Sequence, residues 1–429
     1  MKSFIKRIVI AILANEARLV LKKYKPRVVA VTGSVGKTSA KDAIAAALDE
    51  DFSVRKSEKS FNSELGVPLT ILGVPTAWGN PFGWIMNILR GLELLLFKSE
   101  YPEVLVLEIG ADKPGDIAWI ASWVKPDVAV ITLVGEVPVH VEFFPSPEAV
   151  LNEKSKILGA IKKDGRAVLI GDDPRVVALR EKCRVRVATY GFDKEADLHA
   201  SHLNTEYEGM RPVGITFKVD TNGTNFPVRV HGVFGVQHAY AALAALAVAE
   251  HFKVNAVDAA QALEHWEPAP GRFRLVEGLK HTMILDDTYN SSPVALEAAL
   301  EELKKMKVKG RRVAVLGDML ELGKYAVAEH KRLGTIAGSV CNILLVVGVR
   351  ARYFAEGALS GGISEKNVLQ FDDARVAGAY LQNIMDAGDV ILVKGSQSMR
   401  MERTVEEIMA HPEIKEHILV RQDEEWGRR

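Results

Sequence analysis

The 429-residue sequence has only two cysteines, Cys183 and Cys341. That rules out a disulfide framework and a four-cysteine zinc site, and it fits a reducing, cytoplasmic setting. Nor is there an excess of one charge, since 55 Lys and Arg face 55 Asp and Glu. A protein that coats nucleic acid normally carries a basic surplus, so no nucleic-acid partner is expected. No apolar run free of charge reaches the roughly 20 residues that a membrane-spanning helix needs. Internal repeats and low-complexity tracts are missing too. What is there is the composition of a globular chain, 48% hydrophobic and 26% charged, which excludes a disordered or fibrous protein. At about 150 residues per domain the length predicts two or three domains.

Overall neutrality conceals a local excess. Residues 1–27 hold eight basic side chains (Lys2, Lys6, Arg7, Arg18, Lys22, Lys23, Lys25, Arg27) against one acid, Glu16. The apolar run from Ile8 to Ala14 is too short to span a bilayer, and no small-residue cleavage site precedes the next charges. Residues 1–26 therefore read as a basic amphipathic helix, which either packs on the protein or rests on an anionic membrane surface. Residues 81–97 form a second such segment, with Asn87, Arg90 and Glu93 on one narrow stripe. It reads as a buried or dimer-forming helix or, again, a membrane-surface one. Membrane contact through either segment would place a cytoplasmic protein at the inner face. The oligomeric state is not legible.

From residue 28 onward short apolar runs alternate with helical stretches, the pattern of parallel sheets. Residues 27–31, 104–110, 127–132 and 166–170 read as strands. Between 210 and 232 the texture changes to apolar–polar alternation around Thr221-Asn-Gly-Thr-Asn225, a hairpin signal. Helices are expected over residues 236–251 and 256–265. Glu267-Pro-Ala-Pro-Gly271 then marks a linker. Beyond it strand–helix alternation restarts with strands at 282–285, 312–316, 343–347 and 390–393, and Ser292-Pro293 opens a helix. The predicted organisation is an N-terminal helix (1–26), a central P-loop parallel-sheet ATPase domain (27–268) and a C-terminal doubly wound, Rossmann-like α/β domain (269–429). The fold class is α/β.

The strongest chemical signal is Thr32-Gly33-Ser34-Val35-Gly36-Lys37-Thr38 between a strand and a helix. Its glycines let successive N–H groups turn toward phosphate oxygens, and the helix N-terminus adds its positive end. Lys37 suits the β- and γ-phosphates, and the Thr38 hydroxyl suits Mg²⁺. The match is to a shortened form, because Val31 stands where the usual motif has its first glycine. Glu108 closes the strand Val104-Leu-Val-Leu-Glu108, beyond whose end a nucleotide's metal would sit. By pattern alone His140 is a loop histidine and Lys154 a surface lysine.

The shortened loop resembles that of the Mur ligase family, ATP-dependent enzymes that form peptide bonds in cell-wall synthesis. Five further stretches, in order along residues 28–405, are similar to its MurF branch, which joins D-Ala-D-Ala to a UDP-muramyl tripeptide. They are Asn62-Ser-Glu-Leu-Gly-Val-Pro-Leu-Thr70, Leu107-Glu-Ile-Gly-Ala-Asp-Lys-Pro-Gly-Asp116, Leu285-Asp-Asp-Thr-Tyr-Asn-Ser-Ser-Pro293, Leu316-Gly-Asp-Met-Leu-Glu-Leu-Gly323 and Lys394-Gly-Ser-Gln-Ser-Met-Arg400.

The resemblance implies ATP and two Mg²⁺ ions as cofactors, with a peptide-bearing cell-wall precursor and D-Ala-D-Ala as partners. It places nucleotide binding on Gly33, Ser34, Gly36, Lys37 and Thr38. It makes Thr38, Glu108 and His140 metal ligands. Lys154 matches the lysine that reacts with CO₂, so that carbamylated Lys154 helps hold the second ion. Arg272 matches the junction arginine that faces the γ-phosphate; with Lys37 and Lys154 it completes the catalytic set. Asp287, Tyr289 and Asn290 match the stretch that closes over the nucleotide.

Two departures stand out. His238 falls where the family has an asparagine that contacts adenine. In place of the family's uridine-nucleotide domain, about 30 residues precede Thr32. The implied reaction is attack of a peptide carboxylate on ATP, giving an acyl phosphate that an amine then captures. Two alternatives stay open: a Mur-like ligase with a lipid-linked or other non-UDP acceptor, and a P-loop binding protein without ligase activity.

Overall fold

The computed structural model describes residues 3–58, 61–221, 223–423 and 426. Lys2 and Asn222, singled out above, lie outside them. The described residues build two sheets. The first has nine strands: β1 (Arg27–Thr32), β2 (Val54–Lys56), β3 (Val104–Glu108), β4 (Val128–Ile131), β5 (Arg166–Ile170), β6 (Arg186–Gly191), β7 (Leu198–Glu208), β8 (Arg211–Thr221) and β9 (Thr224–His231). Their order is β2-β3-β1-β4-β5-β6-β7-β8-β9. Strands β2 to β7 pair in parallel, and β7, β8 and β9 continue as antiparallel neighbours. The parallel core strands read as unbroken apolar runs because helices cover both faces; β3 and β4 are buried along their whole lengths. The predicted hairpin is β8–β9, with Thr221 opposite Thr224. Strand β7 was not foreseen, since its mostly polar sequence, Leu198-His-Ala-Ser-His-Leu-Asn-Thr-Glu-Tyr-Glu208, offers no sustained apolar run.

The second sheet has six strands: β10 (Arg274–Gly278), β11 (Thr282–Asp287), β12 (Arg312–Gly317), β13 (Ile343–Val347), β14 (Val368–Phe371) and β15 (Val390–Lys394). They run in the order β10-β11-β15-β12-β13-β14, parallel except for the edge strand β10. Ser292 caps the helix Pro293–Lys305, accepting from Ala295 N, as its sequence predicts. The mixed α/β architecture with parallel sheets agrees with the predicted class.

The N-terminal helix α1 (Ser3–Tyr24) is integral to the first unit. Val9, Ile10, Leu13, Ala14, Ala17 and Val20 recur at helical spacing and are buried. After α2 (Lys37–Leu48) come α3 (Gly66–Leu72) and α4 (Pro81–Leu96), both packed against α1. Lys23 Nζ and Tyr24 Oη donate to Leu94 O at 2.8 and 2.9 Å, closing the carbonyl end of α4. The polar stripe of α4 divides. Asn87 is buried and donates to Pro75 O, whereas Arg90 and Glu93 form an exposed ion pair. Its apolar side faces outward, with Phe82, Ile85, Met86, Leu89, Leu92 and Leu96 all exposed. No described helix is long and apolar enough to cross a membrane.

Candidate active site

The glycine-rich loop turns where β1 ends. Gly33 has φ 146° and a side chain there would meet Thr132 Oγ1 at 1.9 Å, so both the backbone conformation and the packed threonine require glycine. Gly36, at φ 85°, directs the chain into α2 at Lys37. Leu133 O accepts from both Ser34 N and Val35 N, fixing the loop on the end of the neighbouring strand. Lys37 Nζ donates to Ser34 O at 3.2 Å. Desolvation lowers its pKa, and the charge of Arg272 adds to this against the opposing pull of Glu108.

Behind the lysine lies a connected polar cluster. Thr38 Oγ1 donates to Glu108 Oε2 at 2.9 Å, and Asn62 Nδ2 donates to Glu108 Oε1 at 3.0 Å. The Glu108 amide is held by Ser57 Oγ. Arg272 reaches across from the linker to donate to Thr38 Oγ1 at 2.8 Å, and its guanidinium stacks on Tyr289 at 3.8 Å. Gly271 (φ 68°) makes that reach, its carbonyl accepting from Tyr289 N.

Lys394, buried at the end of β15, donates to Asp287 Oδ2 at 2.6 Å and to Asn290 O at 2.9 Å. It ties together the loop that carries Asp287, Tyr289 and Asn290. His140 (φ 67°) has Nδ1 2.5 Å from Glu321 Oε2 and Nε2 3.6 Å from Asp112 Oδ1. Lys154 is buried on the helix Pro147–Ser155. Burial, then the nearby charge of Lys37, lowers its pKa to about 7, so a large share of its amine is neutral near that pH.

These residues surround one cavity of about 350 Å³. Ser34, Gly36, Lys37, Glu108, His140, His238, Arg272, Asp287, Tyr289 and Asn290 line it, drawn from both sheets. Gly33, Thr38 and Lys154 stand outside the lining; Thr38 reaches it through Glu108 and Arg272. His238 is fully buried beside Trp266, and its Nδ1 lies 2.6 Å from Phe234 O. Burial pushes its pKa down, so the ring is neutral and donates Nδ1–H to that carbonyl.

Asp112, Asn62, Glu321 and Lys394 were not assigned roles by sequence reasoning, although all four lie in the quoted stretches. Nothing local distinguishes them: their importance comes from partners 28 to 181 positions away. Among the described residues no three His, Cys, Asp or Glu side chains converge as a ready-made metal cage. The oxygens of Glu108 and Thr38 beside Lys37 instead form a partial set of hard donors. That fits Mg²⁺, which is commonly held by one or two carboxylates, water and substrate phosphates.

Comparison with known proteins gives matches over most of the chain. Residues 86–249 match the Mur ligase middle domain, and residues 271–397 match the Mur ligase glutamate ligase domain. The UDP-N-acetylmuramoyl-tripeptide–D-alanyl-D-alanine ligase of Bacillus subtilis is 30% identical over 397 residues, 92% of this chain and 79% of that protein. The Escherichia coli enzyme of the same name is 29% identical, over 88% of this chain and 76% of its own. Among solved structures, MurF ligase from Thermotoga maritima in complex with ADP superposes with a TM-score of 0.75. It is 30% identical, with 93% of this chain and 83% of that one covered.

Proposed function

We infer the reaction from one established point: the chain belongs to the Mur ligase family. It is an ATP-dependent ligase of peptidoglycan-precursor synthesis that adds D-Ala-D-Ala to a UDP-muramyl tripeptide. The observation that carries this reading is the single cavity in which the phosphate loop, the Glu108–Thr38 pair and Arg272 from the other unit meet.

The chemistry follows from those groups. The tripeptide carboxylate attacks the γ-phosphorus of ATP, ADP leaves, and an acyl phosphate results. The dipeptide amine then attacks the acyl carbon, loses a proton and expels phosphate. Both partners of the first step are anions, so positive charge must stand between them. Lys37 provides it from the phosphate loop and Arg272 from the junction. Tyr289 holds the guanidinium plane through the stacked contact, which orients its donors. Mg²⁺ held by Glu108, Thr38 and His140 would neutralise further phosphate charge. Lys154 is suited to carry a carbamate. With a pKa of about 7 the buried amine is in large part neutral near neutral pH; that neutral form attacks CO₂ and, losing one proton, becomes a carbamate anion that can face the metal. Because the lining comes from both sheets, docking of the second unit completes the site.

The test is ATP-dependent phosphate release with UDP-muramyl tripeptide and D-Ala-D-Ala together. Release that depends on both substrates supports the reading; release unaffected by omitting the dipeptide overturns it.

A second element concerns where the enzyme works. The helix α4, with its exposed apolar row, packs against α1, which exposes Ile8, Ile12 and Leu19 together with Arg7, Arg18 and Lys22. Apolar area flanked by cations suits an anionic lipid surface, and this surface would hold the protein at the membrane's inner face. Co-sedimentation with phosphatidylglycerol vesicles, lost in Leu89→Glu, is the expected result. Equal recovery with and without vesicles would remove this element and leave the ligase reading intact.

A further inference from the structure

Among the described residues, eleven other than glycine have positive φ, and two of them meet across the junction of the two units: His140 (φ 67°) and Glu321 (φ 63°). Left-handed backbone is costly for such side chains and persists only where the surroundings impose it. Here they do. On the Glu321 side every preceding amide is tied down. Asp318 N donates to Val347 O, Met319 N to His330 Nε2 at 3.0 Å, and Leu320 N to Ser396 Oγ at 2.8 Å. His330 is itself fixed and fully buried, with Nδ1 2.6 Å from Ala326 O. The loop after β12 therefore presents Glu321 from a rigid base. On the other side, Glu142 N donates to Glu321 O at 3.2 Å, so the backbones are joined as well as the side chains.

We infer that Glu321 is a positioning residue for His140, supplied by the second sheet to a metal ligand of the first. Its carboxylate stands 2.5 Å from Nδ1 without the alignment of a hydrogen bond, and a small turn of the ring lets it take up Nδ1–H. That leaves Nε2 as the free donor atom on the side where Asp112 stands 3.6 Å away. A ligating histidine is generally oriented and fixed in tautomer by a carboxylate on its other nitrogen. Here that carboxylate belongs to the opposite unit, 181 positions along the chain. The metal site is thus completed only when the two units are docked, which couples ion binding to closure. The inference rests on the proposed role of His140 as a metal ligand.

Two measurements on the full chain test it, neither of them turnover. The first is Mn²⁺ binding in the presence of ADP, followed by the electron paramagnetic resonance of the free ion. Glu321→Ala is expected to weaken binding about tenfold or more while leaving metal-free ADP binding unchanged. Glu321→Gln, whose amide oxygen still accepts Nδ1–H, should recover most of the loss. In a His140→Ala background, Glu321→Ala should add nothing. A Glu321→Ala protein that binds Mn²⁺ within twofold of wild type, when His140→Ala does not, overturns the inference. If His140→Ala itself binds normally, the ligand assignment falls first and the inference with it. The second measurement needs no damaging variant: the ring nitrogens of His140 in ¹⁵N-histidine-labelled wild type, identified by their loss in His140→Ala. The Nδ1–H tautomer is expected, and Nε2–H would overturn the inference.

Discussion

Glu108 and Glu16 are both buried acids in the unit built on the nine-stranded sheet, 1% and 5% exposed, yet their surroundings differ in kind. Both oxygens of Glu108 accept hydrogen bonds, from Thr38 and Asn62, and a lysine and an arginine stand close by. Glu16 lies on α1 where it packs against α4. Its Oε2 is buried without a hydrogen-bond partner and sits so near Gly91 that a side chain there would meet it at 2.2 Å. Burial drives its pKa to about 7. One corner assembles charge and provides donors for it; the other excludes water from an acid and supplies nothing in return. Burial alone therefore does not mark an active-site carboxylate. The converging donors do.

If that contrast is right, changes at the phosphate-loop corner should reach turnover and spare stability, and the reverse should hold at the α1–α4 corner. The largest effect is expected from Lys37→Ala, which removes the cation that the proposed mechanism sets against the phosphates. A fall of about 10³-fold in substrate-dependent phosphate release is anticipated, as for loss of a principal transition-state donor, with the melting temperature nearly unchanged. A loss of stability as large as the loss of rate would make Lys37 structural and break the comparison.

Lys154→Ala comes next, at about 10²-fold. The informative part is rescue. If the working group is a carbamate, acetate or formate at tens of millimolar should restore part of the lost rate. No restoration by any small carboxylate, together with normal activity in CO₂-depleted buffer for wild type, would exclude the carbamate.

How much of this was legible depends on how far apart the partners lie. Residues 32–38 declare their chemistry because glycine, lysine and threonine act within one turn of backbone, and the structure finds them at the strand-to-helix bend. The parallel core was legible for the same local reason: each strand is an apolar run of a few residues. Glu321 and Lys394 were not, since each matters through a residue more than a hundred positions away, and nothing in the chain's local pattern encodes such a meeting. His238 was noticed as a departure from the family's asparagine. Its commitment to Phe234 O beside Trp266 depends on how the start of its helix meets the linker. In α4 the period was legible but its direction was not. Amphipathicity says that a helix has two faces; which one turns inward was decided by Gly91 and Leu94 fitting α1, leaving the broad apolar face outside.

The smallest effect belongs to Glu16, and its sign separates the two corners. A carboxyl whose folded pKa stands near 7, against an ordinary 4.5, binds protons more tightly in the native state. Between these values the folded form holds more protons than the unfolded one. Stability from this group is therefore fully present below about pH 4.5 and erodes as pH climbs toward 7 and above. Glu16→Gln keeps the shape and removes the ionisation. It should raise the melting temperature by about 2–4 °C at pH 8, leave it nearly unchanged at pH 4.5, and not alter phosphate release at either pH. The comparison fails if the variant is less stable at pH 8, because Glu16 would then be a carboxylate with a favourable partner. It also fails if turnover drops with stability intact, because the α1–α4 corner would then take part in the reaction instead of only supporting the sheet beneath it.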